Sequence, residues 1–254
     1  MPVALVTGSA SGIGAAARVH LERAGWRVIG VNRRGDDVAA DLAQPAGRAK
    51  AIEALTGLLD GRLDAVIAGA GVNGPTEAIV QCNYFGTVAV LEGVRPLLSA
   101  APSPAAIVVG SVAAVHDTDR HLVDVCLDGD EERAVGLATT QTVPSVYAAT
   151  RRALVRWMRR TALAPDWVGS GIRLNMVAFG LVDTPMIHDA LLDEQRRSAL
   201  QSMSPMPLCG PASADEAGSL LALMLHPALR SVTGQVLFAD GGAEAVLRGE
   251  LPWA

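Results

Sequence analysis

The chain has 254 residues, is 50% hydrophobic and carries a formal net charge of −5. That is enough material for one large core, and the acidic balance lacks the basic face of a nucleic-acid binder. Cys82, Cys126 and Cys209 are far apart and odd in number, which points to reduced thiols rather than to a disulfide framework or a metal site. No charged-then-apolar leader precedes the first motif, and no apolar run reaches about 18 residues. A soluble cytoplasmic protein with no membrane partner is therefore expected.

The elements alternate along the chain. Pro2 to Val6 is a short apolar run ending at a glycine turn, and it reads as a buried strand. Residues 12–24 place Ile13, Ala17, Leu21 and Ala24 on one helical face, and Gly25 stops the helix. Strands follow at 27–31, 64–68 and 105–109, with helices predicted at about 46–59 and 76–99. Residues 112–143 carry many acids in weak periodicity and read as an insertion. Pro144 suits the first turn of a helix running to about Ala164. A strand at 171–176, a loop-rich segment at 177–211, a helix at 213–225 and a strand at 235–238 complete the pattern. Such alternation implies parallel βαβ units in a doubly wound sheet within one α/β domain, residues 1–254.

The turn Gly8-Ser9-Ala10-Ser11-Gly12-Ile13-Gly14 joins the first strand to the first helix. Glycines let backbone approach a phosphate without a Cβ in the way. The following helix aims free N–H groups and its positive dipole end at the anion. Taken alone, the spacing G-x-x-x-G-x-G also fits a turn needed only for packing.

Thr7-Gly8 through Gly14 resembles the glycine motif of the short-chain dehydrogenase/reductase family. The resemblance recurs in order along nearly the whole chain. Asp41-Leu42, Ala70-Gly71, Asn83, Ser111, Tyr147, Gly180 with Thr184-Pro185-Met186, and Asp240-Gly241-Gly242 each match a family segment. Gly69 stands where an asparagine is usual, and Phe179 where a proline is usual. The eleven residues between Gly71 and Asn83, and the widened gap from Ser111 to Tyr147, resemble the bacterial 3α-hydroxysteroid dehydrogenase/carbonyl reductase subgroup. The resemblance implies a Rossmann-type three-layer sandwich and a substrate lid at about 181–211. It also implies a homo-oligomer, dimer or tetramer. It does not name the substrate.

The resemblance further implies the roles at the reaction centre. Tyr147 would act as acid/base, Ser111 would orient the carbonyl, and Asn83 would hold a water in the proton relay. A tyrosine can donate a proton when a nearby cation lowers its pKa from about 10. Residue 151, four positions on and on the same helical face, is Arg where the family has Lys. Lys50 is the only lysine, so 20 of the 21 basic residues are arginine, and the exchange fits that bias. Arginine keeps the charge and can bond a ribose, but it stays protonated and cannot shuttle a proton. Three readings stay open on these residues. One is an NAD(P)-dependent oxidoreductase interconverting a secondary alcohol and a ketone. Another is a nucleotide-binding protein with little redox turnover. The third is a non-redox enzyme, a cyclase or isomerase, on the same fold.

The cofactor-binding set implied by the resemblance is Gly8, Ser9, Ser11, Gly12, Ile13, Gly14, Asn32, Arg33, Arg34, Asp41, Leu42, Ala70, Gly71, Tyr147, Arg151, Gly180, Val182 and Thr184. NAD-specific sites usually place an acid at the end of the second strand. Here Asn32-Arg33-Arg34 stands there, with two arginines available for a 2′-phosphate. NADP(H) is favoured over NAD(H), although Asp36 and Asp37 follow closely. The five histidines have no metal-ligand spacing, and no metal site is expected. His116 and His121 lie near Ser111 in the insertion, where a substrate could touch them. Leu181, Met186, Met203 and Met206 give the lid an apolar character suited to a hydrophobic carbonyl or alcohol. Arg152, Arg156, Arg159 and Arg160 read as a solvated face or a subunit contact through their stems.

Overall fold

Val3–Thr7, an apolar run covered on both faces, forms strand β1 in the interior of the sheet. The computed structural model describes residues 1–250, so the last four residues of the expected domain, 251–254, lie outside the described residues. Helix α1 (Gly12–Arg23), strands β2 (Arg27–Asn32) and β3 (Val38–Ala39), and helix α2 (Pro45–Leu58) follow. Next come β4 (Ala65–Ala68), the short α3 (Thr76–Ala78), a π-helical stretch (Ile79–Gly86) and α4 (Thr87–Leu98). Strand β5 (Ala105–Ser111) leads through a 3-10 turn (Val112–Val115) to α5 (Arg120–Asp128) and α6 (Glu131–Ala138). Then come α7 (Val143–Thr161), α8 (Pro165–Val168), β6 (Arg173–Phe179) and β7 (Val182–Asp183). The final elements are α9 (His188–Leu192), α10 (Glu194–Met203), β8 (Ala212–Ser213), α11 (Ala214–Met224), β9 (Val236–Ala239) and α12 (Ala243–Arg248).

Seven strands form one parallel sheet in the order β3-β2-β1-β4-β5-β6-β9. The chain runs outward from β1 to β3 and then returns to β4 on the other side of β1. The carboxyl ends of β1 and β4 therefore open a crevice at this reversal. Strand side chains alternate between two cores. Leu5, Val66 and Val108 pack beneath α2, α4 and α7 with Leu55, Leu91 and Leu154. Ala4, Ile67 and Ile107 pack beneath α1 and α11 with Leu21 and Leu221. This is the expected three-layer α/β sandwich. Among the described residues, no helix is long and apolar enough to cross a membrane.

Several elements differ from the sequence-based expectation. The helix predicted at 76–99 is interrupted by the π stretch, whose wider turn admits an extra residue. Gly86 at its end passes so close to the loop before α2 that a Cβ there would lie 2.7 Å from the Leu42 carbonyl oxygen. Two of the acidic residues of 112–143 cap short helices instead of lining a face, which weakens the periodicity. Asp119 accepts from the His121 amide at 2.8 Å, and Asp130 from the Arg133 amide at 3.1 Å. Between them Gly129 ends α5 with φ of 80°, a left-handed turn that suits glycine. The loop-rich 177–211 segment contains α9 and α10, and β7 pairs with β8 in a separate two-stranded parallel sheet.

Candidate active site

The glycine turn is built by close approach. Gly8 takes φ of +73° and Gly12 takes +54°, conformations that a side chain would strain. A Cβ on Gly14 would lie 2.3 Å from the Gly8 carbonyl oxygen, so α1 starts directly against the turn. Ser11, in extended backbone at the N-cap, makes no side-chain capping bond, and the first turn of α1 holds no acid. The leading amides of α1 are left for an anion, with the helix dipole behind them. This uncapped cradle fits the pyrophosphate of a dinucleotide.

One cleft of about 610 Å³ runs from this turn across the carboxyl ends of the strands. Gly8, Ser11, Gly12, Ile13 and Gly14 line its middle. Asn32, Arg33, Asp41 and Leu42 line one end. Ala70, Gly71, Ser111, Tyr147 and Arg151 line the other, with Gly180, Val182 and Thr184 over them. Thr184 closes on the turn, since a Cβ on Gly12 would lie 3.2 Å from its Cγ2.

Three expected residues are not on the cleft wall. Ser9 is buried and donates its hydroxyl to Asp36 instead. Arg34 does not line the cleft, and its carbonyl accepts from Asn32 Nδ2 at 3.1 Å. Asn83 is fully buried, with both ends of its amide taken by Val72. The Val72 N–H donates to Oδ1 at 2.8 Å, and Nδ2 donates to the Val72 carbonyl at 3.0 Å. Its side chain therefore braces the Gly71-Val72 loop.

Tyr147 and Arg151 share one face of α7, and both reach the cleft. Arg151 Nη1 donates to the Val109 carbonyl at 3.2 Å, while its buried Nε has no partner among the described residues. A Cβ on Gly71 would lie 2.9 Å from Arg151 Nη2, so glycine at 71 makes room for the guanidinium. Ser111 Oγ accepts from the Ala113 amide at 3.2 Å, which fixes its oxygen at the mouth of β5. Its own proton stays free to donate. Cys82 also lines the cleft, and burial pushes its thiol up to about 11 against the opposing pull of Arg151.

Neighbouring braces were less legible in the sequence. Arg48 is buried beside the 41–44 loop. It donates to the carbonyls of Leu42 at 2.8 Å, Ala43 at 3.1 Å and Gln81 at 2.9 Å, and pairs with Glu131 at 2.6 and 2.7 Å. The available signal was its place on the same face of α2 as Ala51 and Leu55, where a lone charge needs partners. Arg152 is not a solvated residue as expected. Its Nε donates to the Ala114 carbonyl at 2.9 Å and its Nη2 to the His116 carbonyl, because the 3-10 turn after β5 leaves those oxygens without helical partners. Arg156 pairs with Asp124 across α5 and α7 at 2.6 Å in an exposed position. His116 lines the cleft, whereas His121 does not. Among the described residues, no three His, Cys, Asp or Glu side chains gather as a metal site would need.

Comparison with known proteins identifies the family. The family model described as short chain dehydrogenase matches residues 2–121, and the one described as Enoyl-(Acyl carrier protein) reductase matches residues 134–244. The chain is 32% identical over 256 residues to 3-alpha-hydroxysteroid dehydrogenase/carbonyl reductase of Comamonas testosteroni, covering 98% of each. It is 30% identical to cis-4-hydroxycyclohexanecarboxylate dehydrogenase of Sinomonas cyclohexanicum, covering 96% of this chain and 97% of that one. The crystal structure of 3-alpha-hydroxysteroid dehydrogenase from Pseudomonas sp. B-0831 complexed with NADH superposes with a TM-score of 0.92 at 37% identity. That match covers 98% of this chain and 99% of the other. These relatives support the oxidoreductase reading over the nucleotide-binding and non-redox alternatives. The chain belongs to the short-chain dehydrogenase/reductase family and is an NAD(P)-dependent oxidoreductase that interconverts an alcohol and a ketone by hydride transfer.

Proposed function

We propose that the enzyme acts on a hydrophobic secondary alcohol or its ketone and prefers NADP(H) to NAD(H). The observation that carries this reading is one continuous cleft with Ser111, Tyr147 and Arg151 at one end and Asn32 and Arg33 at the other. When bound, the nicotinamide supplies or accepts the hydride. Tyr147 gives or takes the proton at the substrate oxygen, and Ser111 Oγ donates to that same oxygen. Arg151 supplies positive charge beside Tyr147 and donors for a ribose hydroxyl. Asn83 acts at a distance by holding Gly71 and Val72 in place.

The cofactor preference rests on this chain's own residues, since the Pseudomonas relative was solved with NADH. Strand β2 ends in Asn32 rather than an acid, and Arg33 lines the cleft beside it. Leu181, Met186, Leu200 and Met203 line the substrate end, in keeping with an apolar substrate under a lid at about 181–211. We read 112–143 as an insertion, in line with the gap between the two family matches at 121 and 134. A homo-oligomer, dimer or tetramer, is part of the proposal. β9 is a sheet edge carrying Leu237 at 41% exposure, and α11 carries Leu223 at 60%. A cytoplasmic setting fits the three free cysteines.

The test is direct. Purified protein is titrated with NADPH and NADH, then mixed with a panel of apolar ketones while the absorbance of the reduced cofactor is followed. Tighter NADPH binding and oxidation on an apolar ketone are expected. Tighter NADH binding would overturn the cofactor preference, and turnover confined to small polar ketones would overturn the substrate class.

A further inference from the structure

Asp36 and Asp37 follow Arg33 by three and four residues, yet neither lines the cleft. Both are folded back against β2 and α1, and Asp36 also reaches Ser9 of the glycine turn. The Asp36 side chain is only 5% exposed. It fills a slot over Gly30, where a Cβ would lie 2.2 Å from its Oδ1. Ser9 Oγ donates to Asp36 Oδ2, and Arg18 Nη1 donates to Asp36 Oδ1 at 2.7 Å. The same Arg18 nitrogen lies 3.2 Å from Asp37 Oδ2. Asp37 Oδ2 also accepts from the Gly30 amide at 2.8 Å, and the Asp37 amide donates to Asp36 Oδ1 at 2.9 Å. Arg18 itself is steadied by Glu22 one turn further along α1, at 2.8 Å.

We propose that Arg18 is a specificity-determining positioning residue. It neutralises Asp36 and Asp37 and, with Ser9, holds them away from the adenosine end of the cleft, so that Arg33 meets the 2′-phosphate of NADP(H) without an opposing carboxylate. This rests on the NADP(H) reading above. The physical case is one of charge and reach. Asp36 touches Ser9, whose neighbour Gly8 lines the cleft, so a released carboxylate has only a short distance to travel. Once there it repels a phosphate dianion. It also accepts a hydrogen bond from the ribose 2′-hydroxyl of NAD(H), the role acids take at this place in NAD sites. Held in its slot, the same carboxylate does neither.

The experiment measures Kd for NADPH and NADH by fluorescence titration of the whole protein. In Arg18→Gln the preference for NADPH, expressed as the ratio of the two constants, is expected to fall by roughly tenfold, the scale of one partly screened charge pair. Arg18→Lys keeps the charge and is expected to hold the ratio near wild type. The triple variant Arg18→Gln, Asp36→Asn, Asp37→Asn is expected to regain it. Gly30→Ala leaves Arg18 intact and evicts Asp36 by steric contact, so it is expected to lower the ratio as well, whether or not Arg18→Gln folds. A merely structural role would weaken both cofactors alike and leave the ratio unmoved. An unmoved ratio in the variants, with wild type preferring NADPH, overturns the clamp alone. A wild type that prefers NADH overturns the cofactor reading and the clamp together.

Discussion

The guanidinium of Arg151 lies over the ring of Tyr147, its carbon 4.8 Å from the ring centroid. A charge stacked on a ring face holds the ring as well as its field, a contact worth about 0.5–2 kcal/mol depending on burial. Tyr147→Phe keeps the stack and removes the hydroxyl. It is expected to lower kcat/KM by about 10²–10⁴-fold, the usual range for a lost acid/base. NADPH affinity should stay near wild type. Arg151→Met removes charge and stack together and is expected to depress both turnover and cofactor affinity, with Arg151→Lys falling between it and wild type. Stopped-flow turnover and fluorescence titration separate these effects.

Arg33 is the arginine of the Arg33-Arg34 pair that reaches the cleft. Arg33→Ala is expected to raise the Kd for NADPH by about tenfold, the size of one charge-assisted hydrogen bond, and to leave NADH nearly unchanged. Asn32→Asp places an acid at the end of β2 and is expected to shift the preference toward NADH. Parallel titrations with the two cofactors check both outcomes, and equal losses for the two cofactors in Arg33→Ala would remove the residue from the specificity argument.

Much of this was legible in the sequence, for identifiable reasons. The buried strands β1, β4 and β5 announce themselves because apolar residues on both faces leave runs such as Val3–Val6. The glycine turn was readable because its backbone geometry tolerates almost no other residue at Gly8, Gly12 and Gly14. What stayed hidden depends on where side chains turn. Asp36 is placed by Ser9, 27 positions away, and Arg48 by Glu131, 83 positions away; no local pattern encodes either pairing. The π stretch at 79–86 was invisible because its apolar residues also satisfy an ordinary helical pattern. Asn83 stands at the family position, but no local pattern tells that its side-chain amide is committed to Val72.

The Arg48 side chain is 9% exposed and its partner Glu131 24%. Breaking a buried pair strands the remaining charge and the carbonyls it served. Arg48→Met is therefore expected to cost about 3 kcal/mol of stability. Glu131→Gln is expected to cost less, because the glutamine oxygen still accepts from Arg48. Urea denaturation of the two variants tests the order.

Burial raises the Cys82 thiol from 9.0 to about 11 and the Cys126 thiol from 9.0 to about 12. Above pH 9 the unfolded chain has released these protons while the folded chain keeps them. Stability present below pH 9 is therefore lost as pH rises from there through about 11 and 12. The loss is roughly 1.4 kcal/mol per thiol for each pH unit separating its unfolded and folded pKa. Melting temperatures across that range should fall, and less steeply in Cys82→Ala. At neutral pH a thiol reagent should modify Cys209, the exposed cysteine, first, and reach Cys126, which is buried away from the cleft, only on unfolding. Rapid labelling of three thiols in the native protein would contradict the buried assignments.

The Arg48–Glu131 pair has a consequence for how the two halves of the chain communicate. Arg48 binds the Leu42 and Ala43 carbonyls on the cleft side and α6 on the other, so one guanidinium belongs to both. Thermodynamic reciprocity then applies. Whatever free energy a nucleotide gains by ordering the Asp41–Ala43 loop is shared with residues 120–138, and loosening those helices must weaken the nucleotide by the same factor. Amide exchange in α5 and α6 becomes a remote gauge of occupancy: it slows when the cleft fills, although neither helix lines it.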